Sequence, residues 1–336
     1  MSARECIIPV FVPHLGCPYT CVFCNQNRIS GAQSPAAPET VIEAMKQAAL
    51  PGKPVKRQLA FYGGSFTAIP LEQQTALLQT AKTYIDRGEL DSIRLSTRPD
   101  AISEEILQRL KRYGVETIEL GAQSMDEEVL RRSGRGHTAK DVENASLLIR
   151  QYGFRLILQM MTGLPGDTPE RSLQTARRII SLAPDGVRIY PTVIVRDTAL
   201  YELWKRGSYE EHTVEQAVTT CAAMVPLFED AGIPIIRLGL NPTDDLSGGD
   251  AAGGAYHPAL GELVRSRIYR NRAELLLADT EPGSSVILGV APEKISQMTG
   301  QHRSNLEYLK QKYGLRELKV RGCGCPAGEV KILERI

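Results

Sequence analysis

Cys17, Cys21 and Cys24 stand in the run CPYTCVFC, directly after a short apolar stretch. The spacing Cys-x3-Cys-x2-Cys puts three soft thiolates on one loop with no obvious local fourth ligand. A structural zinc site is normally closed by four ligands. Three cysteines on one loop can instead anchor an iron–sulfur cluster and leave one iron open to another molecule. A zinc knuckle completed by a distant residue, or three unrelated core cysteines, would show the same spacing.

Other groups with chemical capacity recur at intervals. Gly63-Gly64-Ser65-Phe66 offers glycines that let backbone approach a ligand and a hydroxyl that can accept from an ammonium group. Ser96-Thr97-Arg98-Pro99-Asp100, Glu119 to Ser124 (ELGAQS), Gly134 to Thr138 (GRGHT) and Gln159 to Gly166 (QMMTGLPG) follow. In Pro184–Tyr209, Arg188, Tyr190, Arg196, Tyr201 and Trp204 combine cations with flat rings, as a nucleotide pocket would. A helix packing Tyr201, Leu203 and Trp204 into the core accounts for part of that run equally well. Cys323-Gly324-Cys325 reads as a metal-binding or redox pair, or as an exposed turn. Cys6 and Cys221 read as core residues.

The elements that must position these groups alternate. Strands are expected at Cys6–Val12, Arg57–Tyr62, Ser92–Thr97, Thr117–Gly121, Phe154–Met160, Val187–Tyr190 and Ile233–Leu238. Amphipathic helices are expected at Leu71–Asp86, Glu104–Tyr113, Asp141–Tyr152, Pro169–Leu182 and Val214–Ala231. Such βαβ units imply parallel strands joined by right-handed crossovers, and six or more point to an α/β fold, a full or partial (β/α) barrel ahead of an open doubly wound sheet. The chemically capable motifs follow strands, where a barrel carries its active face.

A Gly-rich segment, Ser247–Ala255, reads as a connector or a loop at the barrel mouth. Pro258–Ala278 reads as one long helix. The turn-rich DTEPGSS near residue 280 divides residues 1–280 from a small α+β domain at 281–336. That domain reads strand, helix, helix, strand, strand: Ser285–Val290, Pro292–Met298, Ser304–Tyr313, Glu317–Val320 and Glu329–Leu333.

The chain of 336 residues is 42% hydrophobic and 24% charged, ordinary for a soluble globular protein with a sizeable core. Its net charge of +1 creates no global field, so a nucleic-acid site has to be a local patch. No apolar run approaches the ~20 residues of a membrane span, so no membrane partner is expected. The apolar start IIPVF lacks the features of a secretory signal. Seven cysteines argue against a fully paired disulfide framework and for a reducing, cytoplasmic setting.

The motifs together resemble the radical S-adenosylmethionine (SAM) superfamily, in which SAM chelates the open iron of a [4Fe–4S] cluster. STRPD, ELGAQS, RGHT, MMTGLPGDT and PDGVRIYPTVIVRDTALYELWKRGSY resemble most closely the radical SAM core of the Elongator catalytic subunit. The weaker AYHPALGELV extends the likeness to roughly residues 5 to 270. The resemblance implies Cys17, Cys21 and Cys24 as cluster ligands, with Phe23 near the adenine. It places Phe11, Gly63, Gly64, Ser65, Ser96, Gln123, Arg135 and Gln159 in the SAM shell. Buried polar groups inside a barrel, or a surface arginine in a Gly-rich turn, are the structural alternatives for Gln123, Gln159 and Arg135.

Two departures from the family pattern are apparent. Elongator's first two cluster cysteines are more widely spaced, and the chain ends before an acetyltransferase domain of the Elongator kind could follow. The SAM-cleaving core is therefore expected without the acetyl-CoA chemistry.

The C-terminal order resembles a KH RNA-binding module, which clamps a nucleic-acid backbone with a GXXG turn between its helices. Here Gly300-Gln301-His302-Arg303 occupies that place, with arginine for the second glycine. Six Lys/Arg against two Glu between Gln301 and Arg321 give a local basic bias, and Arg303 and Lys310 are candidates for phosphate contact. A nucleobase in transfer or ribosomal RNA is the expected substrate, with Arg188, Tyr190 and Arg196 as further candidate contacts. An electron donor such as flavodoxin or ferredoxin is the expected partner. A radical SAM enzyme acting on a small molecule such as a porphyrin, and a cluster-bearing RNA-binding sensor without turnover, are the rival readings.

Overall fold

The computed structural model describes residues 5–12, 17, 19–25, 36–48, 55–240 and 249–336. The chain forms two compact units, one of Met1–Thr213 with Leu227–Tyr256 and the other of Val214–Pro226 with His257–Ile336.

The first unit alternates as its sequence pattern demands: β1 (Glu5–Val12), α1 (Pro38–Gln47), β2 (Lys56–Gly63), α2 (Leu71–Asp86), β3 (Ser92–Thr97), α3 (Glu104–Arg112), β4 (Val115–Gln123), α4 (Glu127–Arg132), α5 (Ala139–Gln151), β5 (Arg155–Thr162), α6 (Pro169–Ser181) and β6 (Gly186–Pro191). Then come β7 (Val193–Val195), α7 (Ala199–Lys205), α8 (Val214–Asp230), which runs on from one unit's residues into the other's, β8 (Ile235–Leu238) and β9 (Ala251–Gly254).

Seven strands form one sheet in the order β1-β2-β3-β4-β5-β6-β8, every pairing parallel. A full barrel would pair its last strand with its first; here β1 and β8 are the two ends, so the sheet is a partial barrel. Strand centres such as Leu59-Ala60-Phe61 are wholly buried, as strands covered on both faces must be. Helix starts are marked by side-chain caps: Ser103 for α3, Asp126 for α4, Thr138 with Asp141 for α5, Thr168 for α6 and Thr198 for α7. Parallel strands bring their C-terminal ends to one edge, which gathers the motifs that follow them.

Two local features differ from expectation. The short helix α4 is stabilised by Asp126, whose carboxylate accepts from the amides of Glu128 and Val129 at 3.0 Å. Part of the Gly-rich segment is not loop but strand: β9 pairs antiparallel with β7. Residues 247–248 of that segment lie outside the described residues.

The second unit contains α9 (Leu260–Leu277), β10 (Ser285–Val290), α10 (Ile295–Thr299), α11 (Ser304–Lys312), β11 (Glu317–Gly322) and β12 (Lys331–Arg335). β10 is central, parallel to β11 and antiparallel to β12. The strand, helix, helix, strand, strand order is present, and the unit also takes in the helix ahead of residue 280. Tyr269, Ala273 and Leu277 of α9 pack with Val286, Leu288, Met298, Leu306, Leu309 and Leu318 in one core. Asn305, 4% exposed, locks the helices by donating to the carbonyls of Ser266 at 3.0 Å and Met298 at 3.1 Å.

Candidate functional site

The C-terminal ends of the strands surround a cavity of about 440 Å³ in the first unit. Cys17, Cys21 and Cys24 line it, together with Phe23, Gly63, Gly64, Ser65, Ser96, Gln123, Arg135, Gln159 and Tyr190. Thus all but one of the residues expected in the cluster and SAM shell meet in a single space. The exception is Phe11, a β1 residue 36% exposed that is not among the cavity's lining residues.

The cysteine loop is held by backbone contacts to two later segments. Val22 N–H donates to the Ser133 carbonyl at 3.1 Å, and the Val22 carbonyl accepts from Leu200 N–H at 2.7 Å. Val22 and Phe23 pack beside Leu200, Tyr201, Leu203 and Trp204. Of the two readings of that aromatic run, packing therefore accounts for Tyr201 and Trp204. Arg196 is exposed, donates to the Gly249 carbonyl at 2.9 Å and to the Tyr201 hydroxyl at 3.3 Å, and does not line the cavity.

Tyr19, between the first two cysteines, fixes the loop by its ring. The Arg98 guanidinium carbon lies 4.9 Å from the ring centroid. A Cβ at Gly136 would meet a ring carbon at 2.4 Å, so any larger residue there would push the ring aside. Arg98 is itself fixed, paired with Asp100 at 2.8 Å and donating to the Arg135 carbonyl at 2.5 Å.

Arg135, 7% exposed, bridges the loop and the sheet: its Nη1 stands 3.3 Å from Cys21 Sγ and its Nη2 donates to the Gly121 carbonyl at 2.5 Å. β4 is interrupted between Gly121 and Gln123, and Gln123 adopts φ 63°, a left-handed conformation uncommon for a residue with a side chain. The Ser65 hydroxyl shares a hydrogen bond of 3.1 Å with Thr97 Oγ1 and accepts from the Arg98 amide. Burial, reinforced by Cys21, pushes the Cys17 thiol above its ordinary range, while an amide of Ser65 opposes the shift. Burial, with Arg135 beside it, depresses His137 to about 4.

Two observations bear on what the cavity can hold. Gln123 Oε1 and Arg135 Nε are buried without a hydrogen-bond partner, although both residues line the cavity. Buried polar atoms are rarely left so unless something else meets them. Among the described residues, no three His, Cys, Asp or Glu side chains converge on a single metal ion. A cuboidal cluster bonds each cysteine to a different iron, so its ligands stand apart, and a cavity of this size suits a nucleoside-sized cofactor. The donor set fits a three-cysteine cluster with an adjoining polar ligand.

Beneath the cavity lies a charge network without a role in the sequence reading. Glu119 is fully buried and accepts from Arg94 Nη1 at 3.1 Å, Arg188 Nη2 at 3.1 Å, Gln159 Nε2 at 2.9 Å and the Tyr62 hydroxyl at 3.1 Å. Arg94 also reaches Glu5 at 2.9 Å. Burial opposes a charge on Arg188, yet Glu119 beside it raises its affinity for the proton. Arg188 is thus tied inside the sheet and does not line the cavity, whereas its neighbour Tyr190 does. The signal for this network was a charged residue at the centre of two apolar strands, SIRLST and TIELGA, which a buried strand tolerates only with a partner.

Arg303 and Lys310 lie in the second unit, both exposed. Gly300, His302 and Arg303 all have positive φ, at 78°, 50° and 65°. The turn therefore keeps at Arg303 the conformation that glycine would favour while presenting an arginine side chain.

Residues 11–179 match the Radical SAM superfamily and residues 184–270 match the Radical_SAM C-terminal domain. The chain is 30% identical over 257 residues to a tRNA uridine(34) acetyltransferase of Dehalococcoides mccartyi, covering 65% of this chain and 56% of that protein. It is 31% identical over 192 residues to Elongator complex protein 3 of Homo sapiens, covering 51% of this chain and 35% of that protein. The match thus spans about half or less of these curated relatives. Among solved structures, the archaeal Methanocaldococcus infernus Elp3 with an N-terminal deletion shares the fold, with a TM-score of 0.61 and 22% identity over 81% of this chain and 64% of that one. None of the described helices is long and apolar enough to cross a membrane.

Proposed function

As the chain belongs to the radical SAM superfamily, an enzyme family whose members bind a [4Fe–4S] cluster and SAM, we propose that its cavity holds both and serves the modification of a nucleobase in transfer or ribosomal RNA. The observation that carries this reading is the meeting of Cys17, Cys21 and Cys24 with a Gly-Gly-Ser turn and the unpaired atoms of Gln123 and Arg135 on one cavity. When bound, the pair of cofactors supplies one-electron reductive cleavage of SAM to methionine and a 5′-deoxyadenosyl radical.

The chain's own residues do the rest by holding and excluding. Cys17, Cys21 and Cys24 are the three cluster ligands. Gly63 and Gly64 let the backbone come close to the SAM amino group, and Ser65 with Ser96 offers hydroxyl acceptors. Gln123, Arg135 and Gln159 supply amide and guanidinium groups for the ribose, carboxylate or adenine, and Phe23 an apolar face. Val193 and Val195 on the cavity wall limit water, which protects a reactive radical.

For the substrate, the support is the naming of the curated relatives as transfer RNA-modifying or Elongator proteins and the exposed Arg303 and Lys310. Tyr190 is the cavity residue best suited to stack on a base. A cytoplasmic setting and an electron donor of the flavodoxin or ferredoxin kind complete the reading.

The test is an anaerobic assay of reconstituted, reduced protein for 5′-deoxyadenosine, with and without total cellular RNA. Stimulation by RNA, with a new nucleoside detected by mass spectrometry, is the expected result. Cleavage indifferent to RNA would overturn the substrate while keeping the radical chemistry. A full, reducible cluster that never cleaves bound SAM would overturn the enzymatic reading itself.

A further inference from the structure

The second unit carries two thiols outside the site described above. Cys323 and Cys325 sit in the turn that leaves β11, and their sulfurs are 3.1 Å apart. Cys323 is fixed by its amide, which donates to the Val290 carbonyl at 2.8 Å. Its sulfur lies over the central strand at Gly289, where a Cβ would meet it at 2.9 Å and Leu333 at 2.8 Å. The missing side chain at 289 is therefore what makes room for the Cys323 sulfur. The far end of the turn is tied to α9, since Gly328 donates to the Tyr269 hydroxyl at 2.9 Å and accepts from Arg272. Between the cysteines the chain bends at Gly324, and a Cβ there would meet nothing within 4 Å. The Cys323 sulfur is thus seated against the central strand, with the Cys325 sulfur beside it.

Their exposures differ in a useful way. Cys323 is half-buried and Cys325 only 9% exposed. Among the described residues no third His, Cys, Asp or Glu joins them to hold a metal, which leaves the chemistry of a dithiol. We propose that Cys323 and Cys325 are a redox-active pair that exchanges with low-molecular-weight disulfides and closes an intramolecular bond.

In the first step the Cys323 thiolate attacks one sulfur of the small disulfide, forming a mixed disulfide and releasing one thiolate, which takes up a proton. Cys325 then loses its proton and attacks the Cys323 sulfur, releasing the second small thiol. Two protein thiols are oxidised and one disulfide is reduced to two thiols. Cys323 is the more accessible of the two sulfurs, which favours it as the one that meets the small disulfide first.

The full-length protein is equilibrated anaerobically with mixtures of reduced and oxidised glutathione, quenched in acid, alkylated and digested with trypsin. Cleavage after Arg321 and Lys331 releases both cysteines on one peptide that holds no others. The expected result is a closed, unalkylated peptide, with an oxidation equilibrium constant about tenfold above that of the same free peptide, a difference of ~30 mV. In Cys325→Ser, Cys323 should carry a glutathione adduct. Equal constants for folded protein and free peptide, or two alkylated thiols under mixtures that oxidise the free peptide, would overturn the proposal.

Discussion

Arg135 Nη1 lies 3.3 Å from the sulfur of Cys21, so one buried guanidinium joins the cysteine loop to the end of β4. An N–H donor aimed at a thiolate ligand favours the more negative, reduced form of a cluster. With the cluster bound as proposed, Arg135→Gln should lower its reduction potential. About 1 kcal/mol of differential hydrogen bonding corresponds to ~40 mV for one electron. A potentiometric titration followed by electron paramagnetic resonance, without SAM, measures this directly. An unchanged potential would remove Arg135 from the cluster's surroundings and leave it to the SAM shell.

Glu119 is fully buried and pairs with both Arg94 and Arg188. Removing one partner of a buried ion pair leaves uncompensated charge, at a cost of about 3–5 kcal/mol. Glu119→Gln should lose stability in that range in urea unfolding of the cluster-free protein. A loss below about 1 kcal/mol would mean that water reaches the network.

Gly136 and Gly88 share a left-handed backbone, with φ 74° and 72°, but only Gly136 faces the Tyr19 ring. Alanine at either position carries backbone strain of about 1–2 kcal/mol. Only Gly136→Ala also displaces Tyr19 from its place. Iron and sulfide per chain after reconstitution should therefore fall in Gly136→Ala and hold in Gly88→Ala. Equal retention would show that Tyr19 has no part in shaping the loop.

Two histidines make the fold acid-sensitive. His137, through burial and then Arg135, and His212, through burial, are both depressed to about 4 from 6.5. The unfolded chain binds their protons first as pH falls, so stability is full above 6.5 and is lost from 6.5 towards 4. Each contributes on the order of 2–3 kcal/mol across that window. Urea midpoints compared at about pH 7 and about pH 5 should differ less in His212→Gln than in the parent; an identical difference would show that His212 titrates normally.

The architecture was legible because period-two and helical patterns alternate cleanly from β1 to β8, and because motif positions after strands put Cys17, Gly64, Gln123 and Gln159 on one edge. Arg188 and Arg196 show the limit. A strand reveals that alternate residues share a face, but not that Glu119, from a different strand, claims Arg188 before a ligand can. The β9 strand was hidden for another reason: AAGG has neither branched side chains nor alternation, and only pairing with β7 makes it a strand. The sulfur contact of Cys323 depends on a glycine in another strand, which spacing cannot disclose.

Gln123 holds a backbone conformation that costs a residue with a side chain about 1–3 kcal/mol. Glycine at that position would relax the chain and make the protein more robust. It would also delete the amide that lines the cavity. Selection for stability alone, in the laboratory or in a warm lineage, would thus erode this position early. Retention of Gln123 across a set of independently stabilised variants would record pressure from function rather than from folding.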